Sequence, residues 1–261
     1  MLVADQQRFG SQAERREPLG AVCFSVRIDG KTFQRATGGD VAVIRGLEFE
    51  LVPETFTCLI GPSGCGKTTT LRIMLRLDED FDGAVSRSLS ETRIAAVFQE
   101  PRLLPWRTVE QNISLALPPE LAGKDLAPIL DAVELAHFRR SYPSELSLGM
   151  ARRVALARAY SVEPEILLLD EPFVSLDEAT ANRLRQLLID LWQSSPVTVL
   201  MVTHNIREAV RLADRLVILS PRPAHVVGTV DLPMPREERR GPPLDALLAD
   251  LSSRYPSLTL E

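Results

Sequence analysis

The sequence predicts an α/β fold, and three observations carry that reading. Short apolar runs alternate with helical segments through the second half, at residues 166–169, 178–192, 197–202, Ile206–Leu212 and 216–219. The run 166–169 is apolar at every position, as expected for a parallel-sheet strand covered on both faces. Earlier, the apolar run Phe56–Ile60 leads through a glycine-rich loop into a helical pattern. With 261 residues, 45% of them hydrophobic, the chain can bury one large core or a core domain carrying a smaller subdomain.

In chain order, residues 1–18 are rich in Gln, Glu and Arg, lack periodicity, and are expected to form a flexible tail. Residues 21–28 and 43–51 alternate apolar with polar side chains, the mark of half-buried strands. A turn at Gly38, Gly39 and Asp40 predicts that they pair antiparallel. A helix is expected over 68–77, where Leu71, Met74 and Leu75 recur at helical spacing, and a strand over 94–98. From about residue 101 to 160 the patterns are mainly helical and separated by prolines, which reads as a helical insert. The second half then completes a parallel sheet. Residues 221–243, rich in proline and arginine, are expected to wrap the surface, and 244–251 to form an amphipathic helix.

Composition narrows the function. Thirty Lys and Arg stand against 35 Asp and Glu, a formal charge of −5, which removes a global electrostatic case for nucleic-acid or anionic-membrane binding. Cys23, Cys58 and Cys65 lack metal-like pair spacing and point to a reducing cytosol. No stretch approaches the ~20 apolar residues of a membrane-spanning helix, and the N-terminus is not signal-like. Work at a membrane would therefore require a partner that spans it.

The strongest motif is Gly61, Pro62, Ser63, Gly64, Cys65, Gly66, Lys67, Thr68 and Thr69, set between a strand and a helix. Its glycines permit a tight curl whose amides, with the helix N-terminus, offer partial positive charge to β- and γ-phosphates. Lys67 adds a full charge, and the Thr68 hydroxyl is a ligand for Mg²⁺. A second motif ends the run 166–169 with Asp170 and Glu171, delivering two carboxylates to the C-terminal strand edge where ligands bind. Asp170 is assigned to Mg²⁺ and Glu171 to polarising an attacking water. Gln99 and His204 also follow strands at that edge; Gln99 is placed on the metal or the water, His204 on the γ-phosphate. Finally, Ser147 caps a helix at Leu148, Gly149 and Met150, forming a second anion site. One chain has no need of two, but two copies head to tail would set this one over the other's nucleotide. Arg152, Arg153 and Arg158 on that helix read as a solvated basic face.

The order and spacing of these pieces resemble ABC transporter ATPase subunits from about residue 20 to 235. The resemblance implies a P-loop NTPase fold, an ABC ATPase domain over 19–235 with an antiparallel β subdomain and a helical subdomain, and a C-terminal extension over 236–261. It implies ATP and Mg²⁺ as ligands, Ser175, Leu176 and Asp177 as a loop crossing a homodimer interface, and Phe33 as the aromatic stacking on adenine. The stretch 98–106, with Ser220, Pro221, Arg222 and Pro223, is similar to the nitrate, sulfonate and taurine importer ATPases. Such subunits power uptake of small nutrients from the inner face of the bacterial membrane. They dock on transmembrane permease subunits, served indirectly by a substrate-binding protein, and Trp106 is the candidate contact here.

The sequence departs from that family at Leu148, where a glycine is usual, which predicts slower or weaker ATP-driven closure. It departs again at Phe33, where tyrosine is usual, and at Ala151 and Arg152. A soluble ABC ATPase acting on DNA or ribosomes is disfavoured by the lack of heptad runs and of a second ATPase unit. A regulator that binds but does not hydrolyse ATP has only Leu148 in its support.

Overall fold

The computed structural model describes residues 24–34, 38–86, 92–256 and 258. The expected tail over 1–18, the start of the first strand at 21–23, Cys23 and residues 35–37 before the glycine turn lie outside the described residues.

Two sheets form the framework. Strands β1 (Phe24–Phe33) and β2 (Val41–Leu51) pair antiparallel, with Val26 opposite Phe49 and Ile28 opposite Leu47. After β3 (Phe56–Ile60) and α1 (Lys67–Met74), β4 (Asp82–Ser86) joins the other edge of β1, giving the order β2-β1-β4. The chain then runs through β5 (Ile94–Val97), α2 (Val109–Ser114), α3 (Ala127–Ala132) and α4 (Leu148–Ser161). It continues as β6 (Ile166–Asp170), α5 (Glu178–Ser194), β7 (Thr198–Thr203), α6 (Ile206–Leu212), β8 (Arg215–Leu219), β9 (Val226–Asp231) and α7 (Gly241–Arg254). The larger sheet has the order β5-β6-β7-β3-β8-β9. Its first five strands are parallel, and β9 returns antiparallel along β8.

Both faces of that sheet are covered, which is why its strands are apolar throughout. Alternate residues point to opposite sides: Phe56, Leu167, Leu169, Val199 and Met201 pack with helices α2 to α7. Leu59, Leu168, Leu200 and Val202 pack with α1 and the antiparallel sheet. The expected α/β class, with its antiparallel and helical parts, is the observed one. Among the described residues, no helix is long and apolar enough to cross a membrane.

Four expectations need correction. Residues 221–243 do not simply wrap the surface: β9 completes the sheet, and Arg239 is only 2% exposed. Its guanidinium donates to the carbonyls of Val210, Ala213 and Leu232, tying the segment to the end of α6. The second half is thus not purely parallel. Strand β4 was not expected; with one glycine and one valine in five residues it has no readable alternation. The basic face on α4 is not solvated either. Arg152 is 4% exposed and donates to the Pro172 carbonyl at 2.6 Å, while Arg158 donates to Pro101 and Arg153 to Glu134. Lastly, β1 runs on to Phe33 and α1 stops at Met74, leaving Leu77 exposed.

Candidate nucleotide site

The carboxyl edge of the larger sheet gathers most of the residues named from sequence. Ile60 pairs with Thr203 and Asp170 with Val202, so Gly61, Glu171 and His204 leave three adjacent strands at one level. Gln99 leaves β5 two residues beyond the Val97–Leu169 pair, exposed to solvent at the same edge. This is where a parallel sheet holds ligands.

The glycine-rich loop curls from β3 into α1. Cys65 N donates to Pro62 O at 3.2 Å, and Thr70 N to Gly66 O at 2.8 Å as the helix begins. No side chain caps α1, which leaves its first amides for a ligand. Lys67 is 4% exposed and folds back to donate to the carbonyls of Gly61 at 2.8 Å and Pro62 at 3.0 Å. Burial pushes the Cys65 thiol up, against the pull of Lys67, so this cysteine is a packing residue of the loop and not a nucleophile.

A cleft of about 270 Å³ opens over the loop, lined by Phe33, Gly64, Lys67, Thr68, Glu171 and Arg222 among others. Phe33 is 42% exposed in it, and the buried Lys31 ammonium lies 4.7 Å from its ring centroid. Lys31 is in turn held by Asp78 at 2.7 Å. The ring therefore stands on a fixed cation and keeps exposed surface for a stacking partner.

Thr68 Oγ1 donates to Asp170 Oδ1 at 3.0 Å, placing a hydroxyl and a carboxylate side by side. Burial pushes the Asp170 carboxyl up, with the Glu171 charge adding to the effect and the Thr68 hydrogen bond opposing it. A divalent cation at this spot would favour the ionised form. Among the described residues, no three His, Cys, Asp or Glu side chains converge into an ion cage.

Glu171 holds a left-handed backbone, φ +44°, at a cost of about 1–3 kcal/mol for a non-glycine residue. Its amide donates to Val202 O at 3.0 Å, which fixes the strained turn. His204 Nδ1 lies 3.1 Å from Glu171 Oε1 but without hydrogen-bond alignment, and is otherwise buried unpartnered.

Ser147, Gly149 and Asp177 are not brought into this cleft; they form a second group. Ser147 accepts from Met150 N at 3.3 Å and Asp177 from Thr180 N at 3.0 Å, capping α4 and α5. The two helix starts touch: a Cβ on Gly149 would lie 2.5 Å from Thr180 Cγ2, so only glycine allows this approach without displacing Thr180. Leu148, 43% exposed, sits at the open end of α4.

Sequence reasoning missed Arg222. It was noted within a proline-flanked stretch but given no role, because a lone arginine 158 residues from Gly64 carries no local signal. In the structure its Nε donates to the Gly64 carbonyl.

A family model described as ABC transporter matches residues 44–174. The aliphatic sulfonates import ATP-binding protein SsuB of Bacillus licheniformis is 42% identical over 222 residues, spanning 82% of this chain and 87% of that protein. SsuB 2 of Pseudomonas syringae pv. tomato is 41% identical over 232 residues, 88% of this chain and 95% of that one. Among solved structures, a dimeric post-hydrolysis state of the ATP-binding cassette MJ0796, bound to ADP and Pi, aligns with a TM-score of 0.66 at 28% identity. It covers 81% of this chain and 99% of that one.

Proposed function

The chain belongs to the ABC transporter family as an ATP-binding, ATP-hydrolysing subunit that powers import, and on that premise we propose that its cargo is a small aliphatic sulfonate. Identity of about 40% to several sulfonate import ATP-binding proteins, over most of both chains, is the observation that carries this reading. In the working cycle two copies sandwich ATP, closure moves a transmembrane permease, and hydrolysis reopens the pair.

The roles we propose for the site residues are these. The loop 61–69 with Lys67 grips the phosphates, and Phe33 stacks on adenine. Thr68, Asp170 and Gln99 would hold Mg²⁺, which would supply charge neutralisation at the phosphates. Glu171 orients and polarises the attacking water, with His204 beside it at 3.1 Å to touch the γ-phosphate. Ser147 and Gly149 present the start of α4 to the nucleotide of the partner copy, and Asp177 crosses the interface. Support for that pairing comes from the exposure of Leu148 and from the dimeric cassette among the structural relatives.

The working domain is taken as residues 19–235, with a helical subdomain over about 101–160, a tail at 1–18 and an extension at 236–261. The helical part carries Trp106, 67% exposed, and Leu115, 63% exposed, as the permease-docking face. The subunit then sits on the inner face of the membrane, and a substrate-binding protein delivers cargo from outside.

Glu171→Gln should trap an ATP-bound dimer, so gel filtration with ATP and Mg²⁺ should show the 28.9 kDa chain at twice its mass. A monomer at saturating ATP would refute the sandwich. For cargo, cells carrying Lys67→Ala should lose growth on an alkanesulfonate as sole sulfur source and keep growth on sulfate. Unchanged growth on the sulfonate would remove that assignment.

A further inference from the structure

Arg222 is the one charged side chain lining the cleft that the roles above leave unused. The residues that flank it are pinned by hydrogen bonds. Ala224 N donates to Val43 O at 2.8 Å, Arg45 N donates to Ala224 O at 3.0 Å, and Ser220 Oγ accepts from His225 N at 3.1 Å. The exposed side chain therefore leaves a fixed base and reaches back over the loop. One N–H of its guanidinium is spent on the Gly64 carbonyl. Among the described residues its terminal nitrogens have no hydrogen-bond partner, and an arginine carries five N–H donors in all.

Gly64 is shaped around this contact. It holds φ +73°, and a Cβ added there would lie 2.6 Å from a terminal nitrogen of Arg222. The guanidinium thus rests on the fourth residue of the loop and lines the same cleft as Gly66, Lys67, Thr68 and Thr69. Charge points the same way. Among the residues that line the cleft, Lys67 and Arg222 are cationic and Glu171 is acidic, so the lining presents net positive charge to a polyanion. A planar fork with free donors over a phosphate loop is suited to bidentate contact with phosphate oxygens.

We infer that Arg222 is a further nucleotide-binding residue, its terminal N–H groups holding the phosphate chain from above while Lys67 holds it from within the loop. This rests on the cleft being the triphosphate site. The experiment is calorimetric titration of the full chain with ATP, ADP and AMP in the presence of Mg²⁺, on wild type, Arg222→Ala, Arg222→Lys and Lys67→Ala. Arg222→Ala should weaken ATP and ADP binding by about tenfold and leave AMP within about twofold, with lysine recovering part of the loss. The melting temperature without nucleotide should not change, since the side chain is exposed. Equal weakening of all three nucleotides, or none, would overturn the inference. Retained ATP affinity in Lys67→Ala would instead sink the reading of the cleft itself, so the two failures are distinguishable.

Discussion

Helices α1 and α4 both start beside a glycine, yet the two starts have opposite surroundings. The start of α1 lies in a cleft, with Lys67 4% exposed and Glu171 across from it. No side chain of its own satisfies its first amides. The start of α4 is capped from within by Ser147, and Leu148 opens to solvent at 43% exposure. On the proposed reading, the contrast separates the residues with which one copy grips the nucleotide from the surface it offers to a second copy. Binding and closure are then separate properties, and substitutions should divide them.

The largest effect is expected at α1. Lys67→Ala removes the buried charge in the loop and should abolish ATP binding in a calorimetric titration; retained affinity would erase the contrast. An intermediate effect is expected at α4. Leu148→Asp puts an acid where a helix N-terminus tolerates it well, so folding should survive. ATP affinity should stay within about twofold while the ATP-dependent dimer of the Glu171→Gln variant disappears, because the acid would meet the partner's triphosphate. A dimer that persists would show that this surface faces something else. The smallest effect is expected from Leu148→Gly, which removes bulk without adding charge. ATPase turnover should rise by about two- to threefold, in line with helix-start contacts worth under ~1 kcal/mol. No gain would mean that Leu148 does not impede closure.

Much of the site was legible because its chemistry is local in sequence. The loop 61–69 announces itself by glycine spacing, and Asp170 and Glu171 by the apolar strand before them. Fold class was equally plain, since strands covered on both faces become uniformly apolar. What stayed hidden depends on tertiary contact. Strand β4 has too little periodicity to stand out, and β9 was lost within a proline-rich stretch. The arginines of α4 looked like surface charge because burial of a guanidinium relies on carbonyls supplied by distant loops. Arg222, though exposed, was obscured because its partner, the Gly64 carbonyl, lies 158 residues away in sequence.

One of those arginines links two parts of the molecule. Arg152, in the first turns of α4, reaches the carbonyl of Pro172, the residue immediately after Glu171. Burial lowers the pKa of this guanidinium, and its Nε has no hydrogen bond of its own, so the Pro172 carbonyl matters the more to it. The Arg152–Pro172 hydrogen bond therefore joins the helical part to the residue that follows Glu171 without involving the phosphate loop.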